Sequence, residues 1–403
     1  MKLSLAANYD ADLIPQLRGC QVTEVYGKLP SDFAGGGRPS YMGTPLTRKS
    51  LREYVSVLNT HGIAFNYLLN ASCYGNEEWG RKWQRRLTSF LEELEDMGIG
   101  TVTVSTPFLL EIIKKRFPAF RVKVGIYAQI DTPRRARFWE DLGADAINLE
   151  SFSINRNCPL LVAIRKAVKC DLQLIANHVC LVNCALQPYH QNGFAHSSRG
   201  SAQLFVDYCF LRCSRERLLD PSALIKSQWI RPEDIGAYEE IGYTDFKLLE
   251  RGIPSTELLR RAKAYSERRY EGNLADILLS YGFRQAPRKS RFWAFRHFFK
   301  PLQANPLAMR SLYGLARHQG MLFPTGEQAI TITSTAIPAD FIQGFKNRDC
   351  ASLACQECRY CENIAAQAVN INPAYLEEAL RRLDGVGDAL VGGGFWGAGC
   401  AGT

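Results

Sequence analysis

The sequence predicts an α/β fold, a (β/α)8 TIM-like barrel followed by a C-terminal cysteine-rich extension. Three observations carry that expectation. Up to about residue 270, β-rich runs alternate eight times with helical patterns or longer excursions, which implies a parallel sheet, and eight units in about 250 residues match a closed barrel. No glycine-rich dinucleotide fingerprint follows the first strand, which weakens the open doubly wound sheet as an alternative. Beyond about Gly272 the alternation stops, and arginines, aromatics and cysteines gather instead.

Taken in order, Lys2–Ala7 reads as a short apolar strand, Asp10–Arg18 as a helix and Gln21–Tyr26 as the second strand. Thr47–His61 has helical spacing, with Leu51, Tyr54, Val55 and Leu58 on one face. Strand Ala64–Asn70 leads into a long amphipathic helix, Glu77–Met97. Strand Thr101–Ser105 is followed by helix Pro107–Arg116, strand Arg121–Gln129 by helix Pro133–Leu142, and strand Ala146–Glu150 by helix Pro159–Val168. The seventh strand, Leu172–Val179, opens a long excursion that ends in helix Pro232–Ile241. Strand Asp245–Leu249 and helix Thr256–Tyr270 complete the eight units. The expected organisation is therefore a barrel over 1–270 with an insertion at 180–230, then an extension over 271–403. In the extension, Arg284–Lys300 is dense in arginine and aromatics, Ala329–Ile337 is β-like, Pro373–Leu383 is helical, and the glycine-rich Gly385–Thr403 is expected to be mobile.

The 403 residues carry 49 basic and 40 acidic side chains, a net charge of +9, and 46% of them are hydrophobic, which excludes wholesale disorder. No charge-free run of about 18 apolar residues predicts a membrane span. The N-terminus, with one lysine and an early Asp10, does not read as a secretory signal, so a cytoplasmic location is expected. Thirteen cysteines cannot all pair internally, and thiols kept reduced in that number point to metal.

Cys350, Cys355, Cys358 and Cys361 form the sharper group. The run C-x2-C-x2-C lets one loop wrap three corners of an iron–sulfur cube, and Cys350 is the nearest fourth thiol; structural zinc more often takes pairs with a longer separation. Cys180, Cys184, Cys209 and Cys213 make two C-x3-C pairs in the excursion after the seventh strand, a spacing that suits one helix face. Cys20, Cys73, Cys158 and Cys170 read as small core residues. Barrel chemistry belongs at the C-terminal ends of the strands, which here carry Asn8, Tyr26, Asn70, Ser105, Gln129, Glu150, the His178/Cys180 segment and Arg251.

Over about Leu13–Tyr270 the chain resembles the collagenase-like peptidase family U32, which includes oxygen-independent hydroxylation proteins of ubiquinone synthesis and of RNA. The resemblance runs through Glu24-Val25-Tyr26-Gly27, Asn70, Gln129, Leu142-Gly143-Ala144 with Glu150, Arg231-Pro232-Glu233-Asp234, and Phe246–Arg251, which keeps Lys247 and Arg251. Leu149 replaces an arginine of the pattern, and Ala176 stands where a histidine would align, with His178 two residues later. The resemblance implies a 4Fe–4S cluster on Cys180, Cys184, Cys209 and Cys213, and hydroxylation without molecular oxygen using prephenate as oxygen donor. The C-terminal thiols lie outside it, so a second cluster there would be a specialisation.

No G-x-S-x-G elbow or H-E-x-x-H motif supports hydrolysis. A dicarboxylate donor needs cationic forks, which Arg38 or Arg251 can supply, while Asn70, Gln129, Glu150 and His178 are the candidate catalytic groups. The leading expectation is an iron–sulfur oxidoreductase that hydroxylates a small metabolite. The alternatives are RNA base hydroxylation, with Arg288, Arg291, Phe292, Trp293 and Arg296 as the contact, and a non-catalytic iron–sulfur scaffold working with an electron donor or partner subunit. The same basic aromatic segment also reads as an amphipathic helix with its rings in the core.

Overall fold

A computed structural model describes residues 1–43, 45–200, 204–250, 253–278, 299–300, 302–319, 328–346, 348, 350 and 355–397. Eight parallel strands close into a barrel in sequence order: β1 (Lys2–Ala6), β2 (Val22–Gly27), β3 (Ala64–Leu69), β4 (Thr101–Val104), β5 (Arg121–Val124), β6 (Ala146–Asn148), β7 (Asp171–Ile175) and β8 (Asp245–Leu248), with β8 pairing back onto β1. The helices between them are α1 (Leu13–Gln16), α2 (Arg48–Thr60), α3 (Arg81–Asp96), α4 (Pro107–Arg116), α5 (Pro133–Asp141) and α6 (Cys158–Ala167). The excursion after β7 holds α7 (Gln187–Ser197), α8 (Tyr208–Leu219), α9 (Ser222–Lys226) and α10 (Ile235–Glu239), and α11 (Ser255–Glu267) closes the barrel.

Local chemistry explains the helix starts. The Thr47 side chain caps α2 by accepting from Ser50 N, and the buried stripe is Leu51, Tyr54, Val55 and Leu58. Proline stands at the first turn of α4, α5 and α6, where its missing N–H costs nothing.

The strands alternate strictly. One set, including Leu3, Leu5, Val25, Phe65, Val102, Val122, Ile147, Leu174 and Phe246, is buried in the apolar core. The other set includes the apolar Ala6, Leu68, Ala146 and Ile175, but each strand also gives it a polar side chain, and these meet across the barrel axis. Ser4 and Asn66 donate to Glu24 (2.9 and 3.1 Å), Thr103 to Asn66 (2.9 Å), Asn148 to Gln173 (3.2 Å), and Gln173 to both Ser4 and Asp245 (2.8 and 2.7 Å). Lys123 lies between Glu24 (2.8 Å) and Asp245 (3.7 Å). Every strand contributes to this ring, where such barrels usually pack branched apolar side chains.

Several predicted elements change at their ends. The expected helix Glu77–Met97 is broken: Asn76 is left-handed, Glu77–Trp79 is a 3-10 turn, and α3 starts only after Gly80. The strand expected over Arg121–Gln129 stops at Val124; Ile126–Ala128 is a 3-10 turn and Gln129 is left-handed (φ 50°). The seventh strand ends at Ile175, before His178. The helix from Pro373 runs through Gly385 and Gly387 to Val391, so much of the segment expected to be mobile is helical. Cys20, Cys73, Cys158 and Cys170 are half-buried, and Cys20 and Cys170 pack against the apolar core.

The C-terminal part holds an antiparallel pair, β9 (Ile330–Ile332) with β10 (Val369–Ile371), and helices Pro306–His318, Cys355–Cys358, Tyr360–Ala368 and Pro373–Val391. It shares one contiguous apolar core with the barrel. Phe341 stacks on Trp229 (5.3 Å), and Arg231 donates to the carbonyls of Pro338 and Ala339 (3.0 and 2.9 Å). The basic aromatic segment, apart from Phe299 and Lys300, lies outside the described residues, as does Cys400. Among the described residues no helix is long and apolar enough to cross a membrane.

Candidate active site and thiol centres

At the C-terminal mouth β2 continues into Lys28, whose buried ammonium donates to Gly35 O (2.6 Å) and pairs with Asp32 (3.1 Å). Tyr67 donates to the same carboxylate (2.7 Å). Residues 35–37 are glycines because the loop is pressed onto its neighbours: a Cβ on Gly36 would lie 2.9 Å from Lys28 Nζ, and one on Gly37 3.0 Å from Asn70 and Tyr127. Arg38 follows and forms an ion pair with Glu250, both largely buried. Lys28 and Arg38 line a cavity of about 20 Å³ together with Tyr9. Lys247 sits over the Tyr26 ring, 3.9 Å from its centroid.

The predicted catalytic residues gather here, but most of their polar atoms hold loops. Asn70 accepts from Gly37 N (3.1 Å). Gln129 donates to Gln191 (3.3 Å). Glu150 accepts from Phe152 N, Ser153 N and the Ser153 hydroxyl, and burial pushes its carboxyl above the usual range. His178 is fully buried; its Nε2 contacts Ser151 O (2.8 Å), its Nδ1 has no partner, and burial lowers its pKa to about 4. Arg251 lies outside the described residues.

Helix α7 lies across this mouth as a lid. Gly36 N donates to Ser198 Oγ (2.6 Å) just past the helix, Ser72 donates to Asn192 (2.7 Å), and Gln129 meets Gln191, so the loops after β2, β3 and β5 are all tied to it. A cavity of about 750 Å³ opens between α7, α8 and the end of helix Pro373–Val391. His190, His196, Phe205, Tyr208, Cys209 and Trp396 are among its walls.

The first thiol group surrounds the root of this lid. Cys180 and Cys184 precede α7, while Cys209 and Cys213 occupy adjacent turns of α8 on one face, as their spacing predicts. Arg217, one turn further on, donates to Val179 O (2.7 Å) and to Cys213 Sγ (3.4 Å), and so fixes the chain beside Cys180 against α8. Burial pushes the thiols of Cys180 and Cys209 up to about 12, while Arg217 opposes the effect at Cys180 and Cys213. Each of these thiols feels others of the group electrostatically.

The second group packs on α9. Cys355 and Cys358 bound a single helical turn, left-handed Arg359 redirects the chain, and Cys361 lies in the first turn of helix Tyr360–Ala368. Cys350 lies within electrostatic range of Cys355 and Cys358, and Cys361 of Cys350 and Cys355. Burial raises Cys361 to about 11, and the Arg156 guanidinium opposes this. Among the described residues no three His, Cys, Asp or Glu side chains converge closely enough to hold a single metal ion.

A sequence profile described as peptidase family U32 matches residues 41–153. An uncharacterized protease from Methanocaldococcus jannaschii is 31% identical over 256 residues, which cover 63% of this chain and 75% of that protein. The chain belongs to peptidase family U32. Among solved structures, that of the U32 peptidase Mk0906 is similar over 63% of this chain and 94% of its own, with 21% identity and a TM-score of 0.48. A 3-hexulose-6-phosphate synthase is similar over 67% of this chain and all of its own, with 13% identity and a TM-score of 0.33.

In this U32 barrel the sequence reading missed Lys28, Asp32, Arg217 and Arg156. Lys28 was legible as the third member of the inward alternation Glu24, Tyr26, Lys28, and Arg217 as the residue one turn beyond Cys213 on the same helix face. Arg156 had no local signal, because the aromatic side chains that bury it come from distant segments.

Proposed function

We propose that this U32 chain is an iron–sulfur enzyme that hydroxylates a small metabolite or biosynthetic intermediate without molecular oxygen, with prephenate as the candidate oxygen donor. The observation that carries the reading is that Cys180, Cys209 and Cys213 lie within electrostatic range of one another or of Cys184 at the root of the lid over the barrel mouth, with Arg217 bonded to Cys213 and to Val179 O beside Cys180. The donor set suits a cube, which takes each thiolate on a separate iron, whereas a single zinc would draw its thiolates to about 4 Å from one another. A bound cluster would supply electron transfer or an open iron for substrate.

The remaining roles fall to the chain itself. Arg38 sets a cation at the mouth for a carboxylate of the donor, exchanging Glu250 for it, while Lys28, held by Gly35 O and Asp32, fixes the loop that carries Arg38. The cavity of about 750 Å³ beside Cys209 is of a size for a small acceptor. In the net reaction an acceptor C–H becomes C–OH while a donor C–OH becomes C–H, so the oxygen atom and the electron pair balance between the two substrates. Thiol-based peptide hydrolysis needs a lowered cysteine pKa, and Cys180 and Cys209 are shifted the other way.

The test uses the full chain purified without air. Prephenate binding measured by calorimetry should weaken at least about tenfold in Arg38→Ala, roughly 1.4 kcal/mol, with iron and acid-labile sulfide unchanged. Unchanged donor affinity, or an unaltered chain containing zinc and no sulfide, would sink this reading.

A further inference from the structure

The most unusual buried charge in this chain is Arg156. It lies in the loop between β6 and α6, is 3% exposed, and has its guanidinium carbon 4.7–4.8 Å from the ring centroids of Trp229, Phe341 and Phe345. Its Nη1 donates to Ile225 O and its Nη2 to Trp229 O (3.0 Å). Among the described residues no carboxylate forms an ion pair with it; Asp234, which lies in its field, is engaged by Arg231 at 2.8 Å. Carbonyl dipoles and aromatic faces soften the desolvation of a guanidinium but do not neutralise it, and an uncompensated buried charge costs several kcal/mol. Phe341 and Phe345, two of the rings over Arg156, also pack on Tyr360 (6.4 and 5.3 Å), the residue before Cys361; Cys361 and Cys350, with Tyr238 and Asp234, lie within electrostatic range of the guanidinium.

A second cation points the same way. Lys226, at the end of α9, faces Cys355 while pairing with Asp220 (3.0 Å). Arg348 stacks on the Tyr360 ring (4.2 Å) and faces Cys350. The acidic side chains on the same element are Glu357 and Glu362, and Glu362 pairs with Arg359 (3.3 Å). Four thiols in tight spacing thus sit among three cations, and among the described residues no carboxylate forms an ion pair with Arg156.

We propose that Cys350, Cys355, Cys358 and Cys361 hold an iron–sulfur cluster of their own, seated against Arg156, whose buried charge balances the anionic thiolate–cluster unit. This site goes beyond the barrel-mouth reading and stands without it. A positive charge fixed beside a cluster favours its reduced form, so Arg156 raises the reduction potential of this centre.

The experiment is iron, acid-labile sulfide and zinc per full-length chain, purified without air, with electron paramagnetic resonance followed through a reductive titration. The unaltered chain should hold about eight iron and eight sulfide, and should show two signals that appear at different potentials. Cys358→Ser with Cys361→Ser should retain about four of each, and Cys180→Ser with Cys184→Ser should also retain about four. Arg156→Met should keep all the iron and lower the potential of one signal, the one that survives in the Cys180/Cys184 variant. Full iron in the Cys358/Cys361 variant would overturn the proposal. So would zinc without sulfide, or one set of about four iron lost by both double variants. If only the Cys180/Cys184 variant keeps all its iron, the mouth reading fails and this one stands. The Arg156→Met potential needs no thiol replaced, so misfolding of a cysteine variant leaves the question decidable: no shift in any signal would overturn the proposal.

Discussion

Lys123 and Arg156 are both buried cations, one inside the barrel and one between the barrel and the C-terminal part, and their surroundings differ in kind. Lys123 has two carboxylates, Glu24 and Asp245, within a ring of hydrogen bonds drawn from all eight strands. Arg156 has three aromatic rings and two carbonyls, and among the described residues no carboxylate pairs with it. The first arrangement balances its charge from the polypeptide alone. Among the described residues the second has no such partner, and the ionisable side chains in its field are Cys361, Tyr238, Asp234 and Cys350; on the proposal above, a bound cluster supplies the balancing charge. The contrast separates a charge that holds the fold together from a charge kept for a bound group.

The comparison breaks most visibly at Lys123. In Glu24, burial alone would raise the carboxyl, but Lys123, with the hydrogen bonds of Asn66 and Ser4, more than reverses this and holds it below its ordinary value. Asp245 is raised by burial, with Lys123 opposing. Lys123→Met leaves both carboxylates buried without a cation and should cost about 3–5 kcal/mol at neutral pH. The sign with pH follows from Glu24. A lowered folded pKa contributes stability above the unfolded value of about 4.3 and loses it as pH falls through the folded value. In the variant both carboxyls are raised instead, so protonation relieves them. The stability gap between variant and unaltered chain, read from urea unfolding, should therefore begin to shrink above about pH 4.3, as the raised carboxyls of the variant protonate, and go on shrinking below it as Glu24 of the unaltered chain protonates. A gap independent of pH would show that the ring is held by packing and not by charge.

Most of the barrel was legible because its outward face repeats every second residue and its helices carry their own caps and prolines; the limits of α4, Pro107–Arg116, follow from Pro107 and the basic last turn alone. The inward face was also written in the sequence, as polar residues at alternate positions of every strand, but sequence reasoning looked for polarity only at strand ends. That emphasis singled out Asn70, Gln129 and Glu150 at strand ends as candidate catalytic groups, and in the structure each also holds a neighbouring segment by hydrogen bonds. The thiol groups were legible from spacing. The arginine beside the second group was not, since Phe341 and Phe345 reach Arg156 from the far end of the chain.

A smaller effect is expected at Arg156. Arg156→Met removes two charged hydrogen bonds, worth about 1.5–3 kcal/mol each, and relieves a desolvation penalty of several kcal/mol. In the full chain stripped of iron by a chelator these oppose, and the net change in unfolding free energy should stay within about 2 kcal/mol. With iron restored the same substitution should cost more, because the bound group then loses its counter-charge. Equal costs in the two states would place Arg156 with Lys123, as a residue of the fold alone.

The smallest effect is the one that sharpens the distinction. Asn157, next to Arg156, caps α6 by accepting from Leu160 N (3.1 Å). Asn157→Ala removes that cap and should cost about 1 kcal/mol, seen as a small drop in Tm, while leaving every charge in place. It loosens the turn that presents Arg156 but does not discharge it. If the role of Arg156 is electrostatic, the C-terminal signal should keep its potential in Asn157→Ala and shift down in Arg156→Met. If both variants shift it alike, geometry rather than charge sets the potential, and the contrast with Lys123 would rest on packing.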